Sequence, residues 1–307
     1  MSDEWPVRAN GLIKQFGKFQ AVRGVYLAVP HGSIYGVLGP NGAGKTTTLR
    51  MLLGIIDPDS GTRSLLGESH PRNASHRVGY LPEERGLYPG MKVREAIAFM
   101  GALRGLDWKE GRKRADVMLE AAGLGRVAHE KVRKLSKGMA QLAQLLGSIV
   151  HKPDLIVLDE PFSGLDPVNQ ELLERLIRAE RDRGATVLFS THVMGHAERM
   201  CDRLSVIVGG LVRFEGTVAE ARGRLPMRAH YLPSAGGEGV RTLLPDDAVG
   251  DGEGGWRFTV PDDGAERLVT SLIGAGHGIA GLSIERPSLH DAFVRIVAEA
   301  KAEEATS

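Results

Sequence analysis

Residues 39–46 read GPNGAGKT, which fits the spacing G-x-x-x-x-G-K-[ST]. They lie between an apolar run, IYGVLG at Ile34–Gly39, and a stretch of helical spacing, TTTLRMLLGI at residues 46–55. Glycines so placed let successive backbone N–H groups curl around a polyphosphate, and the helix N-terminus that follows adds positive potential. Gly39, Pro40, Asn41, Gly42, Ala43, Gly44, Lys45, Thr46 and Thr47 are the candidate phosphate contacts. Lys45 would neutralise the terminal phosphates, and the Thr46 hydroxyl is suited to Mg²⁺. A glycine-rich turn at a helix start is the plainer reading, but it does not account for every fixed position appearing after a strand.

Asp159 and Glu160 close a second apolar run, LIVLDE. An aspartate at a strand end can reach Mg²⁺, and a glutamate directly after it is placed to polarise an attacking water. Alone, such a pair marks a buried strand meeting solvent; beside a phosphate-binding loop it takes on a chemical role. Between the two motifs, LSKG at Leu135–Gly138 precedes a helical stretch, with Ser136 where an N-cap belongs.

These residues need a scaffold, and the flanking patterns supply one. DLIVLD at Asp154–Asp159 and TVLFS at Thr186–Ser190 are continuous apolar runs, as expected of strands buried on both faces. Between them, Val168–Arg183 puts Leu172, Leu173, Leu176 and Ile177 on one stripe and stops at Gly184. Strand alternating with helix implies a parallel sheet that binds ligands at the strand carboxyl ends. Residues 92–147 show helical spacing without strands, with Val93, Ala96, Ile97 and Met100 on one face and Val117, Met118 and Ala121 on another, which predicts an inserted helical subdomain. Within it, Arg104–Lys137 carries ten Lys or Arg against five Asp or Glu, read first as a solvated face and second as a docking surface.

The composition changes near Gly223. Glu238–Glu266 holds eight acidic residues against Arg241 and Arg257. Trp256–Val260 alternates as a strand, Ala265–Ile273 is helical, and Leu289–Ala298 is an amphipathic helix. A division into residues 1–222 and 223–307 follows, the second part a small α+β domain with no catalytic spacing. Across all 307 residues the net charge is +1, which gives no support for electrostatic capture of nucleic acid. The single cysteine, Cys201, suits a reducing cytosolic setting. The acidic start, MSDEWPVRANG, lacks the apolar centre of a secretory signal, and no run approaches the roughly 18 apolar residues of a membrane span.

Over about its first 222 residues the chain resembles the nucleotide-binding subunit of an ABC transporter, with the family's landmarks in order. Phe16 in KQFGK matches the aromatic that stacks on adenine, and Glu83 in GYLPEE stands at the Q-loop. LSKG matches the signature, SGLD at Ser163–Asp166 the D-loop, and His192 in STHVM the switch histidine that meets the γ-phosphate. In isolation Phe16 reads as core, His192 as a strand-end histidine and Asp166 as a helix cap before Pro167; only their joint order favours the functional reading. The resemblance implies that two subunits sandwich two ATP molecules, so that Ser136 and Gly138 serve the partner's ATP. Two positions depart from the family pattern. Glu83 replaces the usual glutamine and would meet Mg²⁺ or water as a carboxylate, and Met139 replaces the signature's final glutamine, which weakens the contact to the partner's nucleotide.

The spellings GYLPEERGLYP, LSKG and SLHDAFVRI resemble the bacterial ABC-2 export branch, whose ATPases often carry a C-terminal accessory domain of this size. The expected fold is an α/β P-loop cassette, with a mostly parallel core sheet, antiparallel N-terminal strands and the inserted helical subdomain, joined to a small α+β domain. The expected function is ATP binding and hydrolysis, with Lys45, Glu160 and His192 in catalysis and Thr46, Glu83 and Asp159 at Mg²⁺. The ATPase would pair as a homodimer, or with a related ATPase, on the cytoplasmic face of the membrane and power a separate transmembrane permease exporting an ion, drug, lipid or polysaccharide. A soluble ABC ATPase working on nucleic acid or ribosomes is the alternative, and neither a basic tail nor coiled-coil heptads support it. A regulatory module without turnover would need neither Glu160 nor His192. Because the tail shows no catalytic spacing, a chain ending at Arg222 is expected to keep its ATP affinity while losing pairing or transport control. Nucleotide titration of the folded shorter protein checks this, and lost binding would place part of the site in the tail.

Overall fold

The computed structural model describes residues 5–84, 86–234, 239–261 and 264–306. The first residues of the acidic start, Arg85 of the GYLPEERGLYP spelling, and Glu238, Asp262 and Asp263 of the acidic stretch lie outside them. A hairpin of β1 (Val7–Phe16) and β2 (Phe19–Val29) leads into β3 (Ile34–Leu38), the glycine loop and α1 (Lys45–Leu52). β4 (Ser60–Leu65) returns to pair antiparallel with β1, giving a three-stranded sheet in the order β2-β1-β4. After β5 (Val78–Leu81) come three helices, α2 (Val93–Ala102), α3 (Trp108–Ala121) and α4 (Lys137–Ile149). Strand and helix then alternate through β6 (Leu155–Asp159), α5 (Pro167–Asp182), β7 (Thr186–Thr191), α6 (Met194–Met200), β8 (Arg203–Val208) and β9 (Leu211–Gly216).

The core sheet runs β5-β6-β7-β3-β8-β9, parallel except for the last pair. Its central strands read as unbroken apolar runs because both faces are covered. Ile156, Leu158, Val187 and Phe189 pack with α2, α4 and α5, whereas Leu155, Val157 and Leu188 pack with α1 and the N-terminal sheet. The strand period of two delivers alternate residues to the two cores. The mixed α/β architecture is therefore the expected one. α5 buries Leu173 and Ile177, with Leu172 and Leu176 partly buried beside them.

One expected face is corrected. In α3, Val117 is 65 % exposed and Ala121 is also exposed, while Gly111, Ala115 and Leu119 are buried. A four-residue spacing keeps those three on the inner side, and Met118 packs only partly against the same core.

The chain forms two compact units, Met1–Val218 with Glu299–Ser307, and Ala219–Ala298. α7 (Val218–Arg222) carries the chain across that first boundary. In the second unit, β10 (Arg228–Pro233), β11 (Val249–Gly250), β12 (Trp256–Thr259) and β13 (Ile279–Glu285) make an antiparallel sheet in the order β11-β12-β10-β13. Ala229, Tyr231 and Phe258 of this sheet form its core with Leu268 and Leu272 of α8 (Ala265–Gly274). The sequence reading named β12 and α8 but missed β10 and β13. It also ended the last helix at Ala298, whereas α9 runs Leu289–Thr306. The final turns group with the first unit, where Glu303 pairs with Arg213 at 2.7 Å and Glu304 with Arg23 at 2.9 Å. A boundary at Gly223 does not foresee this return.

Leu188 is wholly buried in the middle of the core sheet, so Leu188→Ala is expected to lower stability by about 2 to 5 kcal/mol. Val168→Ala, at a side chain 76 % exposed, should stay within about 0.5 kcal/mol. Urea unfolding of the two variants checks both values.

Candidate nucleotide-binding site

The carboxyl ends of β3, β7 and β6 lie side by side, with Leu38 opposite Thr191 and Asp159 opposite Ser190. The glycine loop leaves β3 there, Glu160 follows β6, and His192 follows β7. Together they border a groove of about 490 Å³, lined by residues 41–47, Phe19, Ala21, Glu83, Glu160, Ser163 and His192.

Two glycines are required by the packing. A Cβ on Gly39 would lie 2.3 Å from the Ile207 carbonyl oxygen, and one on Gly44 would lie 2.5 Å from that of Ala21. Gly44 also has φ +100°, which favours glycine. The loop is thus fixed by tight backbone packing as well as by its turn.

Lys45 is buried and donates to the carbonyls of Gly39 at 2.8 Å and Pro40 at 3.3 Å. Its Nζ also lies 3.3 Å from Glu160 Oε1. The other carboxylate oxygen, Glu160 Oε2, lies 3.0 Å from His192 Nδ1. Glu160 is itself buried and has φ +47°, a left-handed backbone that costs on the order of 1 to 3 kcal/mol in a non-glycine residue. Thr46 Oγ1 donates to Asp159 Oδ1 at 3.1 Å, and Ser190 Oγ donates to the same oxygen at 2.6 Å. Asp159 Oδ2 is buried and has no hydrogen-bond partner. Burial, and then the charge of Asp159, raise the phenol of Tyr80 above its ordinary value.

A Mg²⁺ ion fits this chemistry. Two buried carboxylates are set against one buried ammonium, one carboxylate oxygen lacks a donor, and a hydroxyl and the Glu83 carboxylate are at hand. These are the hard oxygen ligands that Mg²⁺ takes.

Residues 22–163 match the family model described as ABC transporter. The chain is 36% identical over 292 residues to YhaQ of Bacillus subtilis (strain 168), an uncharacterized ABC transporter ATP-binding protein, covering 92% of this chain and 96% of the relative. The chain belongs to the ABC transporter ATP-binding proteins. A second relative, the Nod factor export ATP-binding protein I of Burkholderia lata, is 44% identical over 214 residues, covering 69% of this chain and 70% of its own. Among solved structures, an ATP binding subunit of an ABC transporter superposes with a TM-score of 0.66 at 28% identity, covering 71% of this chain and 92% of that one.

In this ABC cassette residues 41–47, Glu83, Glu160 and His192 border one groove, Gly39 and Pro40 are outside its lining as carbonyl acceptors for Lys45, and Asp159 accepts from Thr46. Phe16 does not line the groove. It is 49 % exposed at the end of β1, 5.7 Å from Lys14 Nζ, while its cross-strand neighbour Phe19 is in the lining. The plainer reading of Phe16 as core fails as well. Asp166 is the N-cap of α5, accepting from Asn169 N at 2.9 Å, and that bond holds its carboxyl below the usual range. Ser136 caps α4 through Met139 N at 3.3 Å, and Gly138 packs near the Asn169 amide. Ser136, Gly138 and Asp166 therefore stand outside this chain's own groove.

The sequence reading missed Ser190 and two glutamines of α4. Gln144 brackets the Glu83 loop, donating to Glu84 O and accepting from Gly86 N, both at 3.1 Å. Gln141 donates to Pro161 O at 3.2 Å, next to Glu160. Their one signal was polarity on an otherwise apolar helix.

Stacking under an adenine is worth about 1 to 3 kcal/mol per aromatic ring. Phe16 is exposed beside the lining residue Phe19 and so has a ring face open to a base; Phe16→Ala is expected to weaken binding of a fluorescent ATP analogue by that amount and to leave inorganic triphosphate binding unchanged. A loss confined to Phe19→Ala would move the stack to Phe19.

Proposed function

We propose that this chain binds Mg·ATP in the groove, hydrolyses it, and drives a separate transmembrane permease from the cytoplasmic face of the membrane. The observation that carries this reading is Glu160, buried at the end of β6 yet turned into the groove between Lys45 and His192. A strained acidic residue beside a phosphate-binding loop has the placement of a general base.

The segment 41–47 would hold the phosphates through backbone N–H groups, and Lys45 would exchange the Gly39 and Pro40 carbonyls and Glu160 for phosphate oxygens. That exchange frees Glu160 Oε1 to accept a proton from water, while His192 keeps the carboxylate oriented and stands near the terminal phosphate. Thr46, Asp159 and Glu83 would hold Mg²⁺. When bound, the ion neutralises charge on the phosphate oxygens.

Ser136 and Gly138, exposed or half-buried away from their own groove, are free to face the nucleotide of a second subunit. No helix among the described residues is long and apolar enough to cross a membrane, so transport in this role rests on a permease partner. Export is the direction supported by the 44% identity to the Nod factor export protein. The substrate class stays as broad as ion, drug, lipid or polysaccharide. A cassette working on nucleic acid has no support in a net charge of +1.

Glu160→Gln keeps the shape and removes the base. Phosphate release should fall by roughly 10²- to 10⁴-fold with ATP affinity nearly intact. The variant should form a dimer with ATP and remain monomeric with ADP, as read by light scattering. Full turnover in the variant would remove Glu160 from catalysis, and a monomer at saturating ATP would count against the sandwich.

A further inference from the structure

We propose that Ser190 is a positioning residue whose single hydroxyl sets both acidic residues of the site. The inference rests on the Mg·ATP reading above and assigns a function to a residue outside the phosphate loop and the acidic pair themselves. Ser190 is wholly buried on β7, directly opposite Asp159 in the parallel pair of β6 and β7. Its Oγ lies 2.6 Å from Asp159 Oδ1 and 3.0 Å from the backbone nitrogen of Glu160.

The direction of both bonds is forced. An ionised carboxylate only accepts and a backbone N–H only donates, so the serine proton goes to Asp159 and an oxygen lone pair faces Glu160. No rotational freedom is left to the hydroxyl. Asp159 Oδ1 then receives two donors, Ser190 and Thr46, and Oδ2 is left bare and buried. The carboxylate is thereby divided into one saturated oxygen and one available to a cation or its water. On the other side, the bond fixes the peptide of Glu160 at the point where its φ turns to +47°. A backbone in that region persists only when its surroundings over-determine it, and this peptide aims the side chain at Lys45 and His192.

Between the buried Phe189 and Thr191, alanine would fill the strand without a polar group to satisfy. A serine there is accounted for by the two partners it joins. A merely structural serine would affect stability, and a positioning serine would affect metal dependence.

The test uses the full chain with Ser190→Ala and Ser190→Thr. Affinity for a fluorescent ATP analogue is measured in EDTA, Mn²⁺ affinity in the presence of nucleotide is read by electron paramagnetic resonance, and phosphate release is followed with Mg²⁺. Ser190→Ala should bind the analogue in EDTA as the parent does, yet lose roughly 10- to 100-fold in Mn²⁺ affinity and in turnover, the scale on which residues orienting metal ligands act. Ser190→Thr, which restores the hydroxyl, should recover most of both. Should alanine prevent folding, Ser190→Cys takes its place, since it keeps the shape with a much weaker donor. Unchanged Mn²⁺ affinity and turnover in a folded variant lacking the hydroxyl overturn the proposal, as does an equal loss of binding with and without metal. A parent protein whose nucleotide binding ignores Mn²⁺ would instead overturn the Mg·ATP reading itself, so the two failures are distinguishable.

Discussion

Two acidic side chains at the end of a wholly buried strand are the constraint around which the rest of the cassette is arranged. β6 is apolar on both faces, and Asp159 and Glu160 remain buried where it ends. Charged groups in such a place need partners, because desolvation otherwise costs several kcal/mol for each ion. The partners come from two different segments: Lys45 and Thr46 from the first turn of α1 after the glycine loop, and Ser190 and His192 from the end of β7. Parallel alignment of β3, β6 and β7 is what brings them within reach, since all three strands finish on the same edge.

The charges are balanced without being fully satisfied. Lys45 spans two loop carbonyls and Glu160, so the ammonium proposed for phosphate is held against the carboxylate proposed as the base. Asp159 Oδ2 stays without a donor. A nucleotide with its metal would supply the missing partners on both sides, with anionic oxygens for Lys45 and a cation for Asp159. The groove is thus pre-formed in backbone and incomplete in electrostatics, a combination that favours a charged ligand over a neutral one.

α4 ties this edge to the helical subdomain. It starts at the Ser136 cap, and its Gln141 and Gln144 hold the segment after Glu160 and the loop of Glu83. Gln144 is bonded through both its amide oxygen and its amide nitrogen and Gln141 through its nitrogen, and such buried amides tolerate little displacement, because a lost bond leaves a polar group unsatisfied. Movement of the helical layer would therefore be felt on both sides of the groove.

By itself the sequence determined the phosphate loop, the acidic strand end, the alternation of strand and helix, and the inserted helices. Each of these is local: a fixed glycine spacing, an apolar run or a helical stripe depends on neighbours within a few residues. It did not reveal β10, β13 or the return of α9, where half-exposed strands such as Ile279–Glu285 show no clean alternation and a terminal helix finds partners far away in sequence. Nor did it show that Phe19 lines the groove, although the N-caps it placed at Ser136 and Asp166 are the ones that α4 and α5 carry. Ser190 is the sharpest case. In the sequence it is a small polar residue closing an apolar run, and only the register of β7 against β6 sets its hydroxyl between Asp159 and Glu160, because strand pairing joins residues that no sequence spacing relates.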